Sequence, residues 1–411
     1  MTTIILLAYL FIVAFGYWLK YLNLSHLKIH GHAVPPEFES VIDPQLLGKI
    51  SDYTVENSRF GFIESIFDTI VLLLFLFGGL LTAYDRWIAT LTDSFLWKGV
   101  LFALLLTVVE TALGIPFSLY RNFRIENKYG FNTMTLTLWF TDLLKGLAIG
   151  AVLGTVTVLG ALSIVLWSPG LWWFWVWLFF LCFSVFMMYI SPVLIEPLFF
   201  KFEPLTVEGL EERIKMLMEK AGLKVSRVFQ VDASRRSRHS NAYFTGIGKV
   251  KRIVLFDTLL QQMSQEEVLA VLAHEVGHWK KKHVLKRIVM TEVMAFAGLF
   301  MAYYLVQGDL LPGLLGISGG LSFYAKVLVL GFLLSIILFP VTPLFSWLSR
   351  RDEHASDRFA VELTGTAEAM ASALVKLSKE NLSNLHPHPL YAAFYYSHPP
   401  VVERIRRIKK G

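Results

Sequence analysis

The sequence holds a single cysteine, Cys182, among 411 residues. One cysteine excludes an internal disulfide and a cysteine-built metal cluster. Its apolar setting, Phe-Leu-Cys-Phe, predicts a small buried hydrophobe rather than a nucleophile. Charge is scarce too: charged residues make up 17% of the chain and hydrophobic ones 55%, a balance that excludes an ordinary soluble protein. There is no internal repeat, no low-complexity tract and no nucleic-acid-binding motif, so the net charge of +6 needs another explanation.

Long apolar runs supply it. Ile4–Tyr21, Ile66–Tyr84, Gly99–Phe117, Leu147–Trp167, Leu171–Leu194, Ile288–Leu305 and Ala325–Leu348 are each about as long as a helix needs to cross a ~30 Å hydrocarbon core. The first run lacks a basic n-region and a small-residue cleavage site, so it is expected to be a membrane helix rather than a secretory signal. Seven spans put the termini on opposite sides. One side carries only Arg86, Lys98 and Lys326, against the remaining 35 of 38 basic residues. By the positive-inside rule the C-terminus and the long 195–287 segment face the cytoplasm. The positive charge then reflects topology and attraction to anionic lipid, with no nucleic-acid partner.

Between the spans, 22–65 and 118–146 read as polar loops, and 198–287 and 349–411 as the two long cytoplasmic portions. The first of these portions has the pattern of a small α+β module. "TVEGLEERIKMLMEKAGL" is helical and stops at Gly222, and "RVFQVD", "NAYFTGI" and "RIVLFD" have strand character. "SQEE" then supplies a capping box, Ser264 with Glu267, for a helix that runs into "AHEVGHWKKKH". With no breaker before the sixth span, this motif is expected at that span's cytoplasmic end.

On a helix, His274 and His278 share one face, one turn apart. H-E-x-x-H at this spacing presents two imidazoles to one zinc ion and holds Glu275 beside a water on that ion as general base. The bland alternative is a surface helix with two incidental histidines. A catalytic zinc needs a third protein ligand, and "SRRDEHASDRFAVEL" offers Asp352, Glu353, His354 and Asp357. Glu353 and Asp357 share a helix face; one would bind zinc while the other fixes a ligand histidine, or the pair forms a charged face with Arg350 or Arg351. His386 and His388, flanked by prolines, read as a surface loop.

"HEVGH", "SRRDEHASDRFA" and "SHPPVVER", preceded by "SNAYFTGIGKVKRIVLFDTLL", resemble the integral-membrane zinc CAAX prenyl proteases. The resemblance covers nearly the whole chain. It implies one zinc held by His274, His278 and Glu353, with the H-E-x-x-H motif on the sixth of seven helices that ring a water-filled chamber. Asp357 would donate a proton or orient a ligand, and the serine before it replaces the family's alanine. His398 and Arg404 are the implied oxyanion donors. Asn241, Ala242 and Tyr243 would lie on an edge strand to which a peptide substrate adds. Glu110 and Glu292, costly in hydrocarbon, would face the chamber water or pair with a basic residue.

The expected architecture is thus an all-α polytopic membrane protein with a small cytoplasmic α+β zincin-like part: a membrane region over 1–197 and a zinc peptidase region over 198–411. The expected activity is zinc-dependent endopeptidase action near the C-terminus of proteins, prenylated where the host makes them. A quality-control protease of broader specificity is the alternative in the same class, and a metal-binding transporter or receptor the alternative outside it. The compact loops lean towards a bacterial cytoplasmic membrane; a eukaryotic host would place the chain in the endoplasmic reticulum membrane.

Overall fold

The computed structural model describes residues 1–245 and 250–410. Gly246 and Ile247, the end of the strand expected from "NAYFTGI", lie outside them. Seven helices are long and apolar enough to span a bilayer: Thr2–His30, Pro44–Phe77, Phe95–Tyr129, Leu136–Trp167, Trp172–Phe199, His283–Gln307 and Phe323–Thr364. They do not form a filled bundle. In five of them only 6% of the most apolar window is buried. The chain exposes 21516 Å², against roughly 16,000 Å² for a compact protein of this mass. Glu110 is exposed and Glu292 half-exposed, and among the described residues neither has an ion-pair partner. An open ring of helices produces both the low burial and the excess surface.

Several boundaries differ from the sequence reading. The segment 22–65 is mostly helix, because the first two spans continue well past the hydrocarbon and leave only 31–43 as linker. Asp43 caps the second span by accepting from the Leu46 amide at 2.7 Å, with Pro44 in the first turn where its missing N–H costs nothing. That span ends at Phe77 rather than Tyr84. Gly79 adopts the left-handed region (φ 84°) and turns the chain into a separate helix, Leu80–Leu91. Cys182 is exposed on its span rather than buried.

The membrane ring carries a four-stranded sheet: β1 (Phe202–Pro204), β2 (Lys224–Val231), β3 (Ala242–Thr245) and β4 (Val250–Phe256), in the order β1-β2-β4-β3. β2 and β4 are parallel, and β3 pairs antiparallel with β4, so β3 is an edge strand. β1 escapes sequence detection because three residues are too few to show an alternation. Ile253, Val254 and Leu255 of β4 are wholly buried. Ile253 and Leu255 pack with Leu210, Ile214 and Met218 of helix α1 (Leu210–Lys220) and with Leu272, Ala273 and Val276 of helix α2 (Gln265–Lys280). Each such side chain contributes roughly 2 kcal/mol, and the cluster fixes α2 in place.

The ring and the sheet unit are tied by polar contacts. The His239 ring stacks on Phe131 at 4.2 Å and lies 3.3 Å from the Glu126 carboxylate, which accepts from the Tyr53 hydroxyl at 2.8 Å. Arg236 holds Asp142 through two nitrogens at 2.8 and 3.1 Å.

Candidate metal centre

Helix α2 starts as its sequence dictates. Ser264 and Glu267 form the reciprocal capping box, and the Glu267 carboxylate also accepts from Ser372 at 2.6 Å and Lys376 at 2.7 Å on helix α4 (Ala367–Glu380). Its end was not legible. The helix stops at Lys280, Lys282 takes a left-handed conformation (φ 58°), and the sixth span begins afresh at His283. The H-E-x-x-H motif therefore sits on its own helix and not on the sixth span. No glycine or proline announces this break; a lysine adopts it.

Opposite α2 lies α3 (Thr342–Thr364), which continues the seventh span. The two approach backbone to backbone at Gly277, where a Cβ would come within 2.9 Å of Ser356 Cα. That approach brings Glu353 to both histidines. His274 Nε2 and His278 Nε2 are 3.1 Å apart; Glu353 Oε2 is 3.3 Å from the first and Glu353 Oε1 3.1 Å from the second. Three donor atoms on a tetrahedral zinc at ~2.0–2.1 Å stand about 3.3–3.5 Å from one another. Each histidine nitrogen meets a different Glu353 oxygen, and one atom from each of the three residues lies within 4.8 Å of the others, which leaves room for a zinc-sized cation; Glu353 Oε2, wholly buried, has no well-aligned hydrogen-bond donor. Of the four candidates for a third ligand, Glu353 alone meets both histidines.

Asp357, one turn further along α3, lies behind His274. Its Oδ1 is 2.8 Å from His274 Nδ1, an approach oblique to the ring N–H axis. Arg404, on helix α5 (Val401–Lys410), grips the same carboxylate with Nε at 2.9 Å and Nη2 at 2.6 Å. Arg350 and Arg351 do not pair with Asp357. Burial disfavours a charged His274 imidazole, but Asp357 and Glu353 outweigh it and raise its pKa to about 9. The pocket thus attracts positive charge, and a metal ion would compete there with a proton.

His278 has a partner that sequence reasoning missed. Its Nδ1 is 3.2 Å from His283 Nδ1, and buried His283 reaches Asp352 Oδ1 at 3.4 Å. The available signal was the second histidine of "HWKKKH", His283, which only a helix break at Lys281 and Lys282 folds back onto the motif. Glu275 accepts no hydrogen bond and forms no ion pair among the described residues, and burial raises its carboxyl pKa. His398 is largely exposed, with Nε2 3.4 Å from Glu353 Oε1. Arg404 is nine-tenths buried and engaged with Asp357, which leaves it poorly placed to meet a substrate oxygen.

Just before edge strand β3, Asn241 O accepts from the Phe256 amide at 3.1 Å. By antiparallel alternation, Tyr243 then bonds β4 while Ala242 and Phe244 turn their backbone groups to the open edge. Asn241 Oδ1 occupies the outward Ala242 amide at 2.9 Å, and the Tyr243 hydroxyl donates to Glu196 at 2.7 Å. Helix α2 packs against β3, so the edge borders the metal helix. His386 and His388 are remote from the centre: His386 contacts the Ala33 carbonyl at 2.7 Å, and His388 caps Pro389–Tyr395.

Two family models together match nearly the whole chain. One, described as CAAX prenyl protease N-terminal, five membrane helices, covers residues 23–201; the other, peptidase family M48, covers 204–411. The Arabidopsis thaliana CAAX prenyl protease 1 homolog is 35% identical, over 96% of this chain and 94% of its own. The Saccharomyces cerevisiae CAAX prenyl protease 1 is 32% identical, over 94% and 89%. The crystal structure of S. mikatae Ste24p superposes with a TM-score of 0.90 at 29% identity, over 98% of both chains. The chain belongs to peptidase family M48, in its membrane-embedded CAAX prenyl protease branch, and is a metalloendopeptidase.

Proposed function

We propose that the chain cleaves peptide bonds near the C-termini of proteins, prenylated where the host makes them, with one zinc ion held by His274, His278 and Glu353. The observation that carries this reading is the convergence of those three side chains at 3.1–3.3 Å, with an unpaired Glu275 beside them. When bound, the ion would lower the pKa of water and polarise the scissile carbonyl. Glu275 takes the proton of the attacking water and passes it to the leaving amine. His398, exposed on the rim, donates to the developing oxyanion. Asp357, clamped by Arg404, holds His274 with Nε2 turned to the metal position; His283 does the same for His278. We assign Asp357 and Arg404 to orientation rather than to proton or oxyanion chemistry.

The substrate adds to the open edge of β3, pairing with Ala242 and Phe244 and displacing the Asn241 side chain from the Ala242 amide. The division at 1–197 and 198–411 separates the five-helix membrane region from the part that carries every proposed site residue. The lopsided basic residues support a cytoplasmic metal centre and C-terminus, and the compact loops favour a bacterial cytoplasmic membrane over the endoplasmic reticulum. The names of the relatives support the prenylated substrate class. The test compares kcat/KM for a farnesylated C-a-a-X peptide and its unmodified twin. A preference of tenfold or more is expected; equal cleavage would instead assign the broader quality-control role.

A further inference from the structure

Helix α3 has two faces with different chemistry. Glu353, Ser356, Asp357 and Ala360 are buried towards the metal centre. On the other side Trp347, Arg350, Arg351, His354 and Arg358, three or four residues apart, line a cavity of about 480 Å³. Lys281, at the end of α2, and Arg407, on α5, complete the lining, and Glu403 is its one carboxylate.

The charges are not compensated within the protein. Glu403 is divided between Arg407 at 3.6 Å and His354 at 3.5 Å. Arg350 donates to two backbone carbonyls, Ala392 at 3.0 Å and Tyr396 at 2.7 Å. Arg351 lies over the Trp347 ring and Lys281 over the Phe359 ring. Arg350, Arg351, Arg358 and Lys281 therefore have no carboxylate partner among the described residues. Like charges around one concavity repel unless an anion sits among them.

The cavity lies where the apolar run of the seventh span gives way to charge at Arg350. Trp347, 51% exposed, stands there, and a tryptophan at the end of a span is the side chain that membrane interfaces favour. Arginine forks match phosphate oxygens in pairs. We propose that this cavity binds a phosphate-bearing anion, supplied by the headgroup of an anionic membrane phospholipid. The bound phosphate would bridge α2, α3 and α5, the helices that carry His278, Glu353 and Arg404. It would also touch Pro399, next to His398.

The test uses the full-length protein in detergent, wild type beside Arg351→Gln/Arg358→Gln, with Lys49→Gln/Lys224→Gln as a charge-matched control elsewhere. Native mass spectrometry reads retained phosphatidylglycerol against phosphatidylcholine, and thermal unfolding reads stabilisation by each lipid. Wild type and control should retain phosphatidylglycerol preferentially and gain Tm from it; the arginine variant should lose retention about 10- to 30-fold. Inorganic phosphate that displaces the lipid and raises Tm by itself, in wild type but not in the variant, would keep the phosphate site and assign its source to soluble phosphate. Equal retention in wild type and arginine variant would overturn the proposal. Should the double variant unfold, Arg358→Gln alone replaces it and is read in the same way: retention of phosphatidylglycerol equal to wild type would overturn the proposal.

Discussion

Gly277 of the metal helix faces Ser356 of the seventh-span helix so closely that a Cβ on the glycine would lie 2.9 Å from Ser356 Cα. The opposing atoms are backbone, which cannot swing away as a flexible side chain would. Gly277→Ala should therefore push α2 and α3 apart, costing roughly 1–3 kcal/mol of stability. It should also draw Glu353 away from the histidine pair. Zinc retention in a chelator competition should fall tenfold or more, even in protein that still folds.

Asp357 makes its contacts with His274 and Arg404, so its substitution should act through the metal. Asp357→Asn should weaken zinc binding about 10- to 100-fold, with KM for peptide nearly unchanged once zinc is restored. A proton-donor role makes the opposite forecast, with zinc retained and kcat lost. Arg404→Ala should be the more damaging change to stability, about 3–5 kcal/mol, because it leaves the Asp357 charge buried without its main partner.

Glu267 links the start of the metal helix to α4, and its pKa is lowered. Burial opposes the charge, but Lys376 and Ser372 outweigh it. A carboxyl with a folded pKa below its unfolded value contributes stability above the unfolded value, near 4.5. That contribution disappears as pH falls through the lower folded value. Tm of the wild type should thus drop on acidification below about pH 4.5, and Glu267→Gln should flatten that drop. Glu267→Ala should cost about 2 kcal/mol at neutral pH, from the lost cap and the stranded partners.

If the substrate adds to β3, its amides should matter alternately. N-methylation of every second backbone nitrogen in a peptide substrate should raise KM, each lost hydrogen bond costing about 1 kcal/mol or about fivefold. Methylation at the intervening positions should have little effect. A uniform response along the peptide would remove the strand-addition mode.

Local chemistry was legible in the sequence wherever one segment determines it. The seven apolar runs, the capping box at Ser264, the shared face of His274 and His278, and three of the four strands can each be read from their own residues. Features set by contacts between distant segments were not. The left-handed Lys282 has no glycine to mark it. His283 becomes a partner of His278 only once that break turns the chain. Spacing left Glu353 and Asp357 equivalent, and the approach at Gly277 distinguishes them by bringing one carboxylate to the histidine nitrogens and the other behind His274. Nothing in "SHPPVVER" marks Arg404 for burial, because the carboxylate that holds it lies 47 residues away.

Glu275→Gln tests the proton chemistry proposed for Glu275 beside a metal held by His274, His278 and Glu353. The most direct measurement follows zinc content and peptide cleavage together in purified wild type and Glu275→Gln. One zinc per chain in both proteins, with cleavage reduced at least a thousandfold in the variant, is the predicted result (roughly 4 kcal/mol of barrier). Undiminished cleavage by Glu275→Gln with zinc still bound would contradict the account.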